Sequence, residues 1–157
     1  MATRELISAT IDVAASPAEV WALVSDLKRM GEWSPQCHRM IIRGGEVELG
    51  TKSININHEG PLWWPTRSQV IEFVPNKRIS FKIIENWTIW TYELEEIPTG
   101  TRIVHTRHAP RGTSGLSRFL VKNFMKGQER FESNLERGMN KTLSRIKAEL
   151  EAARVTN

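Results

Sequence analysis

Alternating apolar and polar positions dominate the first two thirds of the chain and predict β-strands. Segment 4–13 places apolar side chains at 7, 9, 11 and 13 and polar ones at 8, 10 and 12. One buried face and one solvated face produce this pattern. Six further strands are predicted at 38–43, 50–58, 67–74, 78–85, 87–96 and 101–109. Short links rich in Gly, Pro and Asn separate them, which favours an antiparallel meander.

Two segments instead show helical spacing. Ser16, Pro17 and Glu19 supply an N-cap, a first-turn proline and a capping-box glutamate for a short helix predicted over 17–27. From residue 116 to residue 150 apolar side chains recur every three or four positions, which predicts one long helix, with Gly127 as the place for a bend. A helix of that length needs a large apolar partner surface, and only the sheet provides one.

The segment Pro61-Leu62-Trp63-Trp64-Pro65 interrupts the strand pattern. Proline cannot donate a hydrogen bond to a neighbouring strand, so this segment is predicted not to be part of a central strand. Its two tryptophans then suit a lid over a cavity, a partner contact, a membrane-dipping tip, or a simple cover for one end of the sheet.

The element order predicts one α+β domain spanning 1–157, in which a seven-stranded curved antiparallel sheet wraps around the long C-terminal helix. Short helices follow the first strand. A twisted sheet curls around a helix more easily than it lies flat against it. A single helix leaves part of the concave side unfilled, so an apolar cavity is expected there.

The composition limits the class of protein and the kinds of site that the chain can form. Hydrophobic residues at 39% and charged residues at 25% are ordinary for a globular protein. No run approaches the roughly 18 apolar residues of a membrane span, and the N-terminus shows no secretory pattern, so a cytoplasmic location is expected. With Cys37 as the single cysteine, an internal disulfide and a cysteine-based metal site are excluded.

The order of motifs resembles the START-like (SRPBCC) superfamily, within it the polyketide cyclase/dehydrase and lipid-transport branch. The residues that carry the resemblance are the run from Ile11 to Trp21, Trp33-Ser34-Pro35, Gly100-Thr101-Arg102-Ile103, and the long final helix. The resemblance covers essentially the whole chain. It implies a helix-grip fold with a deep hydrophobic cavity whose occupants, among relatives, are lipids, sterols, hormones, quinones or polyketide intermediates.

His58, His105 and Arg107 are the candidates for chemistry. His58 shares a strand face with Ile54 and Ile56, and His105 shares one with Ile103 and Arg107. On a concave face, an imidazole beside a guanidinium suits removal of a proton next to a carbonyl, with the arginine stabilising the enolate oxygen. The alternative is that both histidines are structural. The four histidines show no metal-ligand spacing, so no metal and no cofactor are predicted.

Aromatic and apolar residues of the predicted strands and helix are the candidate ligand contacts. Trp90 and Tyr92 lie on one strand face and Trp87 on the other, so at most one set points inward. The full set of predicted contacts is Trp33, Ile54, Ile56, Trp63, Trp64, Phe81, Trp87, Trp90, Tyr92, Ile103, Phe124 and Phe131.

The net charge of +4 is carried by the last quarter of the chain, from residue 116 onward. Arg118, Lys122, Lys126 and Arg130 recur every four residues and form a basic stripe. Such a stripe is either a solvated helix face or a contact for an anionic membrane or an acidic carrier protein. No nucleic-acid-binding motif is present, and the oligomeric state is left open.

Three functions remain. The first is binding of a small hydrophobic molecule, lipid- or polyketide-like, in the cavity. The second is a cyclase or dehydratase acting on a carbonyl-rich substrate through His58 or His105 and Arg107. The third is a membrane-peripheral lipid exchanger that uses the Trp63-Trp64 segment and the basic stripe.

Overall fold

A computed structural model describes residues 5–109 and 128–155. The elements follow the predicted order: β1 (Leu6–Val13), α1 (Pro17–Val24), a 3₁₀ turn (Leu27–Arg29), α2 (Met30–Trp33), β2 (Cys37–Ile42), β3 (Lys52–Glu59), β4 (Leu62–Val74), β5 (Arg78–Ile83), β6 (Ile89–Ile97), β7 (Gly100–His108) and α3 (Gln128–Val155). The part of the long helix predicted before residue 128 lies outside the described residues.

All seven strands join one antiparallel sheet in the order β1-β7-β6-β5-β4-β3-β2. Each neighbouring pair from β2 to β7 is a hairpin, and β1 pairs with β7 from Leu6 opposite His108 to Val13 opposite Thr101. The sheet curves around α3, which confirms the predicted helix-grip fold. No helix within the described ranges is long and apolar enough to cross a membrane.

The first helix begins as the sequence predicts. The Ser16 hydroxyl accepts a hydrogen bond from the Glu19 backbone N–H at 3.2 Å, and the Glu19 carboxylate accepts one from the Ser16 N–H at 3.1 Å. The predicted single helix over 17–27 divides, because α1 ends at Val24 and a separate 3₁₀ turn begins at Leu27. Asp26 between them has φ −86° and ψ 78°, outside the helical region.

The prediction for the proline-framed segment is wrong. β4 begins at Leu62, and Pro65 lies opposite Ile56 of β3. β5 first pairs with β4 at Ser68, so residues 62–67 have a strand on one side only. The Arg67 N–H points away from β3, to the Glu85 carboxylate at 2.6 Å. Pro65, two residues earlier, turns its N–H-free nitrogen to that same open side, where a sheet tolerates proline.

The helix covers only part of the concave face. α3 packs chiefly against β1, with further contacts to β7, α1 and α2. Ile7, Ile79 and Ile103 from the sheet and Leu143 and Ile146 from the helix are at most 2% exposed in this core. Burial of each side chain contributes about 1.5–3 kcal/mol. Val70, in the second half of β4, belongs to the same core, whereas the concave side of β3 and of the first half of β4 lines the cavity.

Candidate functional site

A cavity of about 720 Å³ lies between the concave face of the sheet and α3. Small-molecule sites typically measure about 300–1,000 Å³, so the volume suits a molecule of several fused or linked rings. Gly60, Trp63 and Pro65 line the cavity and are also exposed. The cavity therefore reaches the surface at the β3–β4 turn.

One wall is aromatic and aliphatic. Phe81 of β5 and Trp90 and Tyr92 of β6 face Phe131 and Leu135 of α3 across the cavity. Tyr92 is 1% exposed. Trp90 and Tyr92 are thus the inward set on β6.

The part of the cavity wall formed by β3 and the start of β4 is polar. Asn55 and Asn57 of β3 and Thr66 of β4 line it, and both amide nitrogens donate to the Thr66 hydroxyl oxygen, at 3.2 and 3.0 Å. Behind them the Ser53 hydroxyl donates to Asn55 Oδ1 at 2.7 Å and contacts the Ser68 hydroxyl. A connected network of amides and hydroxyls offers a bound molecule both donors and acceptors along one edge.

This polar wall corrects the predicted face of β3. Ile54 and Ile56 do not line the cavity: Ile54 is 41% exposed on the outer face, and Ile56 is half-buried on that same face. The segment Ser53-Ile54-Asn55-Ile56-Asn57 alternates perfectly, so hydrophobicity alone assigns the isoleucines to the interior. The structure reverses this assignment because the interior beside β3 is a cavity and not a packed core.

His105 lies where the aromatic wall meets the strand β7. Its ring stacks on Tyr92 with centroids 4.0 Å apart and planes 6° apart, and its Nδ1 is 3.0 Å from the Thr91 carbonyl oxygen. A carbonyl only accepts, so Nδ1 carries the proton and Nε2 keeps its lone pair. Burial lowers the pKa of His105 to about 4, against the opposing effect of the Thr91 hydrogen bond. The imidazole is therefore neutral at pH 7.

Arg107 follows on the same face and is 2% exposed. Its guanidinium lies 3.4 Å from the carboxylate of Glu132 on α3, which is 3% exposed. A buried charge needs a partner of opposite sign, and this pair neutralises both charges beside the cavity. The predicted grouping of His105, Ile103 and Arg107 on one buried face is confirmed.

His58 belongs to a different environment. Its strand partner is Trp63, and the two rings stack with centroids 4.6 Å apart. His38 lies 5.3 Å from the Trp63 ring and completes a small aromatic cluster. Trp63 is 52% exposed, so His58 stands where the cavity reaches the surface and not beside His105. The structure therefore does not bring the two predicted histidines together.

Cys37 also lines the cavity, and burial raises the pKa of its thiol to about 12. It is a neutral, weakly polar group there and not a nucleophilic thiolate. Within the described ranges no group of three or more His, Cys, Asp or Glu side chains could hold a metal ion.

Nine of the predicted site residues line the cavity. They are His58, Trp63, Trp64, Phe81, Trp90, Tyr92, His105, Arg107 and Phe131. Trp63 and Trp64 divide between the two faces of β4, because Trp64 is half-buried on the inward side and Trp63 is exposed. Phe124 lies outside the described residues.

Three other predicted contacts do not line the cavity. Ile103 is 0% exposed in the core and Trp87 is 43% exposed in the β5–β6 turn. Trp33 is buried at the end of α2, where the Arg29 guanidinium lies 4.5 Å above its ring. Arg29 also binds Glu149 of α3 at 2.6 Å, so Arg29 ties the short helices and the Trp33 ring to α3.

Sequence reasoning missed Asn55, Asn57 and Thr66. One signal could have found them. In the observed register Asn55 lies opposite Thr66 and Ser53 opposite Ser68, so polar residues meet polar residues across two strands. Such pairing on one face is typical of a shared hydrogen-bond network.

A curved sheet that grips a terminal helix around an internal cavity defines the helix-grip class of ligand-cavity proteins. The sequence profile described as polyketide cyclase/dehydrase and lipid transport matches residues 4–151. The chain belongs to this family. No match to a curated protein sequence was found.

Solved structures agree on the fold. The di-domain ARO/CYC StfQ from the steffimycin biosynthetic pathway superposes with TM-score 0.74 at 14% identity, over 96% of this chain and 51% of StfQ. This chain thus spans about half the length of StfQ. The polyketide-cyclase-like protein Cgl2372 from Corynebacterium glutamicum matches with TM-score 0.66 at 26% identity, over 98% of this chain and 95% of that one. TTHA0849 from Thermus thermophilus matches with TM-score 0.71 at 16% identity, over 94% and 98%.

Proposed function

We propose that this protein binds a small, largely apolar molecule that carries several oxygen functions along one edge, of the polyketide type. The observation that carries the proposal is the two-sided cavity. An aromatic wall suits a flat hydrocarbon skeleton, and the Asn55–Asn57–Thr66 edge suits hydroxyl and carbonyl groups. A purely aliphatic lipid would make no use of the hydrogen-bonding capacity that this edge retains beyond its internal network, and would gain less affinity there.

Polyketide chemistry fits this pattern because such molecules carry oxygen at regular intervals on a carbon framework. Membership of the polyketide cyclase/dehydrase and lipid-transport family supports the same ligand class. StfQ comes from the steffimycin biosynthetic pathway. For this chain we propose a class of ligand and none of the compounds of that pathway.

The test uses a matched pair of probes, naringenin and its unhydroxylated parent flavanone, in isothermal titration. We expect naringenin to bind at least about 10-fold more tightly, because one net hydrogen bond is worth about 1–1.5 kcal/mol. In Asn55→Leu/Asn57→Leu, a nearly isosteric double change, the preference should disappear while flavanone binding is kept.

Thr142→Val is the control. Thr142 also lines the cavity, but from α3 and outside the Asn55–Asn57–Thr66 network, with its hydroxyl donating to the Gly138 carbonyl oxygen at 2.9 Å. Removing that hydroxyl should leave the preference for naringenin intact. Equal binding of both probes by the wild-type protein would contradict the proposal.

Proton abstraction at His105 is a second candidate function. Its neutral ring, held in one tautomer by the Thr91 carbonyl, presents Nε2 as a base in an apolar site, with Arg107 two residues away on the same face. Against it stands the pKa of about 4, since a base works best with a pKa near the operating pH. Binding is for this reason the primary proposal.

Hydrogen–deuterium exchange at the central carbon of benzoylacetone tests this second function. If His105 acts as a base, the protein accelerates exchange above the buffer rate and His105→Gln abolishes the acceleration. Exchange at the buffer rate in saturating protein would remove the catalytic role.

A further inference from the structure

The outer face of β2–β4 carries large apolar side chains in solvent. Ile41 and Ile54 are cross-strand partners and each is 41% exposed. Pro65, opposite Ile56, is exposed beside them, and Trp63 at the end of β4 is 52% exposed. We call the exposed side chains of Arg39, Ile41, Lys52, Ile54 and Trp63 the outer patch. Contiguous apolar surface of this kind marks an interaction site.

The charges of the outer patch are all positive. Arg39 and Lys52 are exposed, and within residues 5–109 and 128–155 neither is in an ion pair. The outward positions 39, 41, 52, 54, 56, 58, 63, 65, 67 and 69 contain no Asp or Glu. Arg67, at one of them, is bound to Glu85 from the neighbouring β5–β6 turn at 2.6 Å.

The other half of the sheet is built differently. On its outer face Asp12 of β1 binds Arg102 of β7 at 2.8 Å, and Arg78 of β5 lies 3.4 Å from Glu93 of β6. Positive and negative charges alternate there and neutralise one another. The outward positions of β2 and β3, by contrast, provide no carboxylate with which Arg39 and Lys52 could pair.

The outer patch also borders the cavity. Trp63 lines the cavity at its surface end, stacks on His58 and has an edge-on contact with His38. Tryptophan and histidine rings combine an apolar body with a polar edge, which suits the headgroup region of a bilayer. A surface that holds the outer patch would place the open end of the cavity next to it.

We propose that the outer patch docks on an anionic phospholipid surface, with Trp63 inserted at headgroup level beside the opening of the cavity. Unpaired cations next to exposed apolar side chains complement a surface that is both negative and apolar. A second copy of this chain is a poor occupant, because two-fold symmetry would bring Arg39 and Lys52 against their own copies. This interaction goes beyond the proposed binding of a small molecule and does not depend on it.

Co-sedimentation with vesicles tests the proposal. We expect the full chain to bind vesicles of 70% phosphatidylcholine and 30% phosphatidylglycerol at low salt, and to bind pure phosphatidylcholine at least about 10-fold more weakly. Arg39→Glu/Lys52→Glu should weaken binding at least about 10-fold. Trp63→Ala should weaken it about 5-fold or more.

The controls match charge and residue type. Lys28→Glu/Lys141→Glu changes the net charge by the same amount at exposed positions away from the outer patch, and Trp87→Ala removes another exposed tryptophan. Both should retain binding. Loss of binding in these controls to the same extent as in the outer-patch variants would overturn the assignment to this face. Absence of vesicle binding, together with variant-sensitive binding to an acidic protein, would assign the face to a protein partner instead.

Discussion

The two halves of the sheet have opposite polarity. In β1 and β5–β7, which we call the packed half, the concave face is mostly apolar, and the outer face carries ion pairs. In β3 and the first half of β4 the concave face carries Asn55, Asn57 and Thr66, while Ile54 and Trp63 face outward. We call β3 and the first half of β4 the open half. The difference follows from what the strands face: α3 packs against β1 and β7, whereas the cavity lies against the open half and against the aromatic side chains of β5 and β6.

The comparison teaches that one sheet can pack against a helix through some strands and line a cavity with others. In the packed half His105 and Arg107 are buried and have partners: His105 Nδ1 lies 3.0 Å from the Thr91 carbonyl oxygen, and Arg107 pairs with Glu132. The open half keeps polar groups inward because they are hydrogen-bonded to one another around the Thr66 hydroxyl, at the edge of the cavity. Variants in the two halves should therefore behave differently.

The largest effect is expected from breaking the buried pair in the packed half. Arg107→Met leaves the Glu132 carboxylate buried without its cation, and should lower the free energy of unfolding by about 3–5 kcal/mol. Arg107→Met/Glu132→Leu removes both charges and should recover most of the loss. Urea denaturation of the three proteins checks this. A double variant as unstable as the single one would show that the pair is not the source of the effect.

Two isoleucine substitutions compare the packed half of the sheet with the outer face of β3. Ile103→Ala, in the packed half at 0% exposure, should cost about 3 kcal/mol, within the range for buried large-to-small changes. Ile54→Ala, at 41% exposure on the outer face, should cost less than about 1 kcal/mol. The same denaturation series provides both values. Equal losses would contradict the reversed polarity of β3.

Because His105 is buried, we expect the free energy of unfolding to depend on pH. Its folded pKa of about 4 is below the ordinary value of 6.5, so the unfolded chain binds the proton more readily. The stability that comes from the neutral ring is fully present above about pH 6.5 and is lost as the pH falls toward about 4. Between about pH 7.5 and about pH 5 the loss should be about 2 kcal/mol.

His105→Gln isolates that contribution, because the carboxylates that titrate in the same range are common to both proteins. The variant should lose about 2 kcal/mol less than the wild type over this interval, as measured by urea denaturation at each pH. Parallel stability curves for the two proteins would show that His105 is not held neutral by burial.

The order of the helices and strands could be predicted from the sequence because the signals that specify them are local. The capping residues Ser16 and Glu19 and the alternation in β1 and β7 act within a few residues, and they predicted the elements in their observed order. Burial of His105 and Arg107 was predictable for the same reason, since both alternate in phase with Ile103 in a strand paired on both sides.

Which face of β3 and β4 points inward could not be predicted from such local signals. An Ile/Asn alternation is compatible with either face inward, and the choice depends on whether α3 or empty space lies opposite, which is a long-range property. Pro65 was likewise misjudged because the unpaired side of β4 depends on where β5 ends. In β6, only the pairing of Tyr92 with His105 decides which aromatic set faces inward.

The central claim is that the Asn55–Asn57–Thr66 wall is where a ligand's oxygen functions bind. Side-chain amide signals in ¹⁵N-resolved NMR test it most directly, with Asn55→Leu and Asn57→Leu providing the assignments. On addition of naringenin the Asn55 and Asn57 amide signals should shift, and on addition of flavanone they should move much less. Shifts confined to residues of the aromatic wall with both probes would contradict the claim.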